Sequence, residues 1–170
     1  MREIKEVPLH LYIGCDMLYS THHEPQNDTY KLSVKNIHEA IEFGDRPVLR
    51  KLSDMTEEDF QDVAKYFFGT DKLVFANYDK HWYACDRELD PEFDGDIIEH
   101  INEACDDDPE NTIMCDLRTW NITHGWITWD EVYHGFSVTE QAKIFQALLS
   151  KSFDLFGLID SGLAINKTTL

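Results

Sequence analysis

The chain has 170 residues, 42% hydrophobic and 12% aromatic, enough to bury a sizeable core and too apolar for a disordered acidic tail. Against 15 Lys and Arg stand 33 Asp and Glu, a net charge of -18 at pH 7. That balance sets aside nucleic acid and anionic membrane as direct ligands, because phosphates are repelled instead of giving counterion release, and it leaves basic proteins, amines and metal cations.

Met1 to Pro8 is charged and precedes only a short apolar run, too short for a signal peptide or membrane span, so a soluble cytoplasmic protein is expected. Cys15, Cys85, Cys105 and Cys115 contain no CxxC pair and read as thiols in a reducing interior. Leu9 to Cys15 and Tyr30 to Val34 predict strands around a polar loop at His22 to Asp28, with Arg46 to Leu52 a third. Ile37, Ala40 and Ile41 recur at helical spacing within Asn36 to Phe43. Thr56 followed by Glu57, Glu58 and Asp59 predicts a capped helix that buries Phe60, Val63, Ala64 and Phe67 and stops at Gly69. Lys72 to Cys85 predicts a hairpin turning near Tyr78, Asp79 and Lys80.

Gly95 to Cys105 reads as a helix with Ile97, Ile98, Ile101 and Cys105 on one face and Asp96, Glu99, His100 and Glu103 on the other. Thr112 to Trp120 and Trp126 to Tyr133 predict strands around a turn at His124 and Gly125. Ser137 and Glu140 have capping-box spacing, which opens an amphipathic helix to about Phe153, and Phe153 to Ile165 reads as a short helix and turn. The sum is an α+β domain over residues 1–170, β-rich in its N-terminal third, with a candidate division into sub-lobes 1–53 and 54–170.

The most unusual stretch is acidic. Every second residue from Asp86 to Asp96 is an acid: Asp86, Glu88, Asp90, Glu92, Asp94 and Asp96. In an extended chain these share one edge at a spacing of about 6.7 Å, close to the phosphate repeat of about 7 Å along one DNA strand. Glu99, Glu103, Asp106, Asp107, Asp108 and Glu110 continue the run, making 12 acids against one base, Arg87. The plain alternative is a solvated face. The functional one is a docking surface for a basic protein, reaching to mimicry of a nucleic acid.

Other chemistries fit less well. Asp90, Glu92, Asp94, Gly95 and Asp96 imitate the opening of a calcium loop, but its twelfth position is Ile101 where a bidentate Glu belongs. A divalent-cation-dependent module therefore stays an alternative without an assigned metal ligand. His22, His23 and Glu24 lack metal-ligand spacing, and Cys115 facing His124 across a hairpin is more simply coincidence. A small enzyme using His81 with Cys85, or His100 beside Glu99, is a further alternative. No Gly-rich phosphate loop, nucleophile elbow or zinc-protease motif occurs, so no catalytic residue and no cofactor is assigned. Trp120, Trp126, Trp129, Tyr133 and Phe136, and separately Trp82 and Tyr83, read as core aromatics before partner anchors.

Three segments, Pro8 to Cys15, Arg46 to Glu58 and Leu148 to Ile165, together about a quarter of the chain, resemble a group of uncharacterised proteins of Bacteroides-type gut bacteria and their phages and prophages. The resemblance implies a phage or mobile-element setting and, by analogy, an inhibitor of a host nucleic-acid-binding or defence protein. It carries over no catalytic residue. The reading at this point is a non-enzymatic acidic protein that docks on a basic protein surface through Asp86 to Glu110, with its oligomeric state open.

Overall fold

A computed structural model describes residues 8–19, 29–89, 95–107, 109–124 and 136–170. Among the described residues the chain forms four α-helices and two four-stranded sheets, a mixed α+β architecture. It divides into two compact units, Met1–Met55 with Leu148–Leu170, and Thr56–Ala147. The second division falls inside a helix, and the C-terminal segment returns to the N-terminal unit.

In the first unit, strands β1 (Asp16–Leu18), β2 (Thr29–Lys31), β3 (Arg46–Leu49) and β8 (Ile165–Asn166) are ordered β2-β1-β3-β8, with β8 parallel to β3. Helix α1 (Ile37–Phe43) lies between β2 and β3 in sequence. The expected strand over Leu9 to Cys15 is instead a 3-10 turn, Leu9–Tyr12, with β1 starting at Asp16. The reason is phase: Leu9 and Tyr12, three apart, are both buried while Leu11 and Ile13 are exposed, a period of three and not two. The expected short helix in Phe153 to Ile165 is a chain of turns that ends in β8. Asp154 organises those turns, its carboxylate accepting from the backbone N–H groups of Phe156, Leu158 and Ile159 at 3.2, 2.9 and 2.8 Å.

The second unit is built on the antiparallel sheet β4 (Val74–Tyr78), β5 (His81–Cys85), β6 (Thr112–Asp116) and β7 (Asn121–His124), in that order. Helix α2 (Glu57–Phe68) begins on a capping box, Thr56 Oγ1 accepting from the Asp59 N–H at 3.2 Å and Asp59 accepting from the Thr56 N–H at 3.0 Å. Such a cap stabilises a helix by about 1 kcal/mol. The helix ends at Gly69, whose φ of 75° is the left-handed conformation that glycine adopts without penalty. Its Phe60 ring lies 6.0 Å from that of Trp82.

Strand β5 is buried along its whole length because both of its faces are covered. Trp82 points towards α2, whereas Tyr83 and Cys85 pack with Met114 of β6 and with Ile101 and Ala104 of helix α3 (Ile97–Asp107). The two helices therefore cover opposite faces of the sheet. The β4 to β5 hairpin turns at Asp79 and Lys80, both with positive φ, the two-residue primed turn whose twist suits paired strands.

The next hairpin departs from expectation. It turns at residues 117–120 and not at His124, because Asp116 Oδ1 accepts from the Arg118 N–H at 2.8 Å and the Asp116 carbonyl accepts from the Trp120 N–H at 2.6 Å. The resulting register sets Cys115 opposite Ile122 and Ile113 opposite His124, so Cys115 and His124 do not face each other across the hairpin as expected. Trp120 instead packs edge-on against Trp82 at 6.1 Å. Trp126, Trp129, Tyr133, Gly125 and His22 to Glu24 lie outside the described residues. Helix α4 (Val138–Ser150) starts on the expected Ser137 and Glu140 box, with bonds of 2.7 and 3.3 Å.

Candidate functional site

The acidic segment opens where β5 stops. Thr112, the partner of Cys85, is the first residue of β6, so the ladder ends at Cys85 and the Asp86 N–H donates to the carbonyl of Asn111 at 2.8 Å. An uninterrupted extended ribbon from Asp86 is therefore not what the described residues show. Asp86 and Glu88 are exposed on a non-strand segment, and Asp96 stands before α3, its Oδ1 accepting from the Ile98 N–H at 2.9 Å and its carbonyl from the His100 N–H at 3.1 Å. Asp90, Glu92, Asp94 and Asp108 lie outside the described residues.

Two contacts fold this segment back on helix α3. Arg87 Nη1 donates to Asp107 Oδ2 at 2.8 Å, and His100 Nε2 lies 3.2 Å from the Arg87 carbonyl. On the helix, Glu99, Glu103, Asp106 and Asp107 are exposed, and the i, i+4 spacing of Glu99, Glu103 and Asp107 stacks them as one stripe. Glu110, also exposed, sits in the turn whose Asn111 bonds to Asp86. Both ends of the acidic segment thus meet in one place. Asp107 is paired with Arg87, and Glu88 with Lys72 at 2.6 Å, a pairing that holds the Glu88 carboxyl below the usual range.

This stripe works against its own helix. Like charges four residues apart destabilise a helix by about 0.2–0.5 kcal/mol per pair, and Asp106 and Asp107 sit at the negative end of the dipole. Arg87 offsets the last of them.

The expected faces of α3 need two corrections. His100 is turned inward at 6% exposure, together with Ile101, Ala104 and Cys105, while Ile97 faces solvent. The helix phase places positions 100, 101, 104 and 105 together, and the contact from His100 Nε2 to the Arg87 carbonyl gives the buried ring a polar partner. His100 therefore stands apart from the exposed Glu99 and does not form a solvent-facing acid-base pair with it.

His81 is 9% exposed. Its Nε2 lies 3.1 Å from the Arg118 guanidinium and 3.8 Å from Asp116 Oδ1. A guanidinium only donates, so Nε2 is the accepting side of this contact, and Nδ1 is buried with no hydrogen-bond partner among the described residues. Cys85 shares the strand face of His81 but lies four residues along it, about 13 Å away, too far for a nucleophile and base pair. Burial pushes the Cys85 thiol up, Cys105 to about 11, and Cys15 and Cys115 to about 12. All four cysteines are buried and outside any disulfide, the setting of inert thiols.

No protein-family model, curated protein or solved structure matches this chain. Among the described residues no three His, Cys, Asp or Glu side chains are grouped to hold a metal ion, and no helix is long and apolar enough to cross a membrane.

Sequence reasoning overlooked the trio of His81, Asp116 and Arg118. The available signal was an acid two residues before an arginine at a turn. Arg118 holds the Asp116 carboxyl well down, to about 2. A depressed carboxyl stabilises the fold above its unfolded-state value, and that contribution is lost as pH falls through about 2. Arg118→Ala is expected to raise the Asp116 midpoint into the ordinary carboxylate range in an NMR titration; an unmoved midpoint would show that Arg118 is not its cause.

Proposed function

We propose that this chain is a non-enzymatic binding protein whose acidic surface, made from Asp86, Glu88, Asp96, the exposed face of α3 and Glu110, docks on a basic protein surface. One observation carries the reading: Arg87 ties the start of the acidic segment to Asp107 at its end, so acids distant in sequence are held as neighbours although their stripe costs helix stability. A purely solvated face needs no such clasp. Long-range attraction speeds encounter, and short-range contacts set selectivity. The resemblance to phage and prophage proteins supports an inhibitor that occupies the nucleic-acid-binding surface of a host enzyme or defence factor, with Asp90, Glu92, Asp94 and Asp108 as further carboxylates of the same segment.

The test is affinity purification from a bacterial host lysate with the unmodified protein and with the double variant Glu99→Lys, Glu103→Lys. Both positions are exposed, so folding is expected to survive. A retained basic protein should be lost at high salt, and the variant should bind it at least about tenfold more weakly. Equal retention by the variant would reject this surface.

A further inference from the structure

Among the described residues the sheet of the second unit ends at β4. Tyr78 and His81 close a two-residue hairpin turn and so form a hydrogen-bonded pair; by alternation Val74, Ala76 and Tyr78 bond inward to β5, while Phe75 and Asn77 aim their N–H and C=O groups away from the sheet. Natural sheets blunt such an edge with proline, lysine or a bulge. Val74–Tyr78 contains neither proline nor any charged residue, and it pairs with β5 in unbroken register.

Charge decides what could pair there. A second copy of this chain brings its own -18, which disfavours joining two identical edges. The face of the sheet that holds Val74 and Ala76 is the face covered by α3, the helix that carries Glu99, Glu103, Asp106 and Asp107. On the opposite face, Phe75 offers a half-buried apolar side chain.

We infer that β4 accepts an added strand from a basic partner, an extended segment with Lys or Arg at every second position on the α3 side and apolar residues between them. Backbone bonds to Phe75 and Asn77 supply affinity, and the acids of α3 select the cationic face. This rests on the acidic-surface reading and names the shape of its partner.

The test compares two synthetic peptides of equal charge at low salt, one alternating Lys with Val and one alternating Lys with Pro, since proline has no N–H to give to a sheet edge. The Lys-Val peptide is expected to bind about tenfold more tightly, the worth of one or two net backbone hydrogen bonds, and to slow hydrogen exchange at the Phe75 and Asn77 amides. Asn77→Pro, which removes only an outward N–H, should abolish that preference. If this variant does not fold, exchange at Phe75 and Asn77 in the unmodified protein decides. Equal binding of both peptides without protection at these amides would overturn the edge inference and leave the acidic surface standing. Failure of both peptides to bind would overturn the two together.

Discussion

Replacing Phe60 with alanine is expected to destabilise the protein by about 3–5 kcal/mol, the cost of removing a buried aromatic ring and leaving a void. Phe60 is 1% exposed and is the contact of α2 with Trp82, which in turn meets Trp120. The ring therefore joins the helix to the face of β5 opposite α3. Domains are stable by about 5–15 kcal/mol in all, so the variant should unfold at much lower urea, followed by tryptophan fluorescence. Phe60→Leu keeps most of the volume and should cost about 1 kcal/mol. If alanine costs no more than leucine, α2 is not packed on the sheet as described.

The second large effect belongs to Asp154. Its two oxygens accept three backbone N–H groups, those of Phe156, Leu158 and Ile159, while its own N–H donates to the Arg50 carbonyl at 2.8 Å. Alanine at this position leaves three donors without their acceptor, in a segment with no helix to absorb them. Each hydrogen bond to a charged group contributes about 1.5–3 kcal/mol when formed, but half-buried donors recover part of that from water. Asp154→Ala is therefore expected to cost about 2–4 kcal/mol. Asp154→Asn keeps one acceptor oxygen and should cost about half as much. Urea melts of the two variants are the check, and equal, negligible losses would show that the turns are held by something else.

What the chain discloses in advance follows from how local each signal is. The cap at Thr56, the stop at Gly69, the hairpin at Asp79 and Lys80, and the box at Ser137 are interactions between near neighbours, and all of them stand in the structure where composition and spacing put them. The errors arise where a distant partner decides. Leu9 and Tyr12 look like strand residues until the period of their burial shows a 3-10 turn. His100 looks polar and outward until the Arg87 carbonyl gives it an interior partner. Strand β8 has no signal of its own, since two residues gain sheet character only by lying against β3.

The acidic site shows the same division. Its charge is plain in the sequence, but among the described residues the ladder of β5 stops before the alternate acids, because β6 begins opposite Cys85. What composition could not reveal is the fold-back. Arg87, the one base among 12 acids, reaches Asp107 twenty residues on and so folds the start of the segment against the end of α3.

The most direct test of that surface is a map of backbone amide shifts while a lysine-rich polypeptide is titrated in at low salt. The largest changes are predicted at residues 86–88, across α3 and at Glu110, with far smaller ones at the exposed acids Glu57, Glu58 and Asp62 of α2 and at Asp160, and with all of them fading as salt is raised. Changes spread evenly over every exposed acid would mean that the protein attracts cations by net charge alone and has no dedicated anionic face.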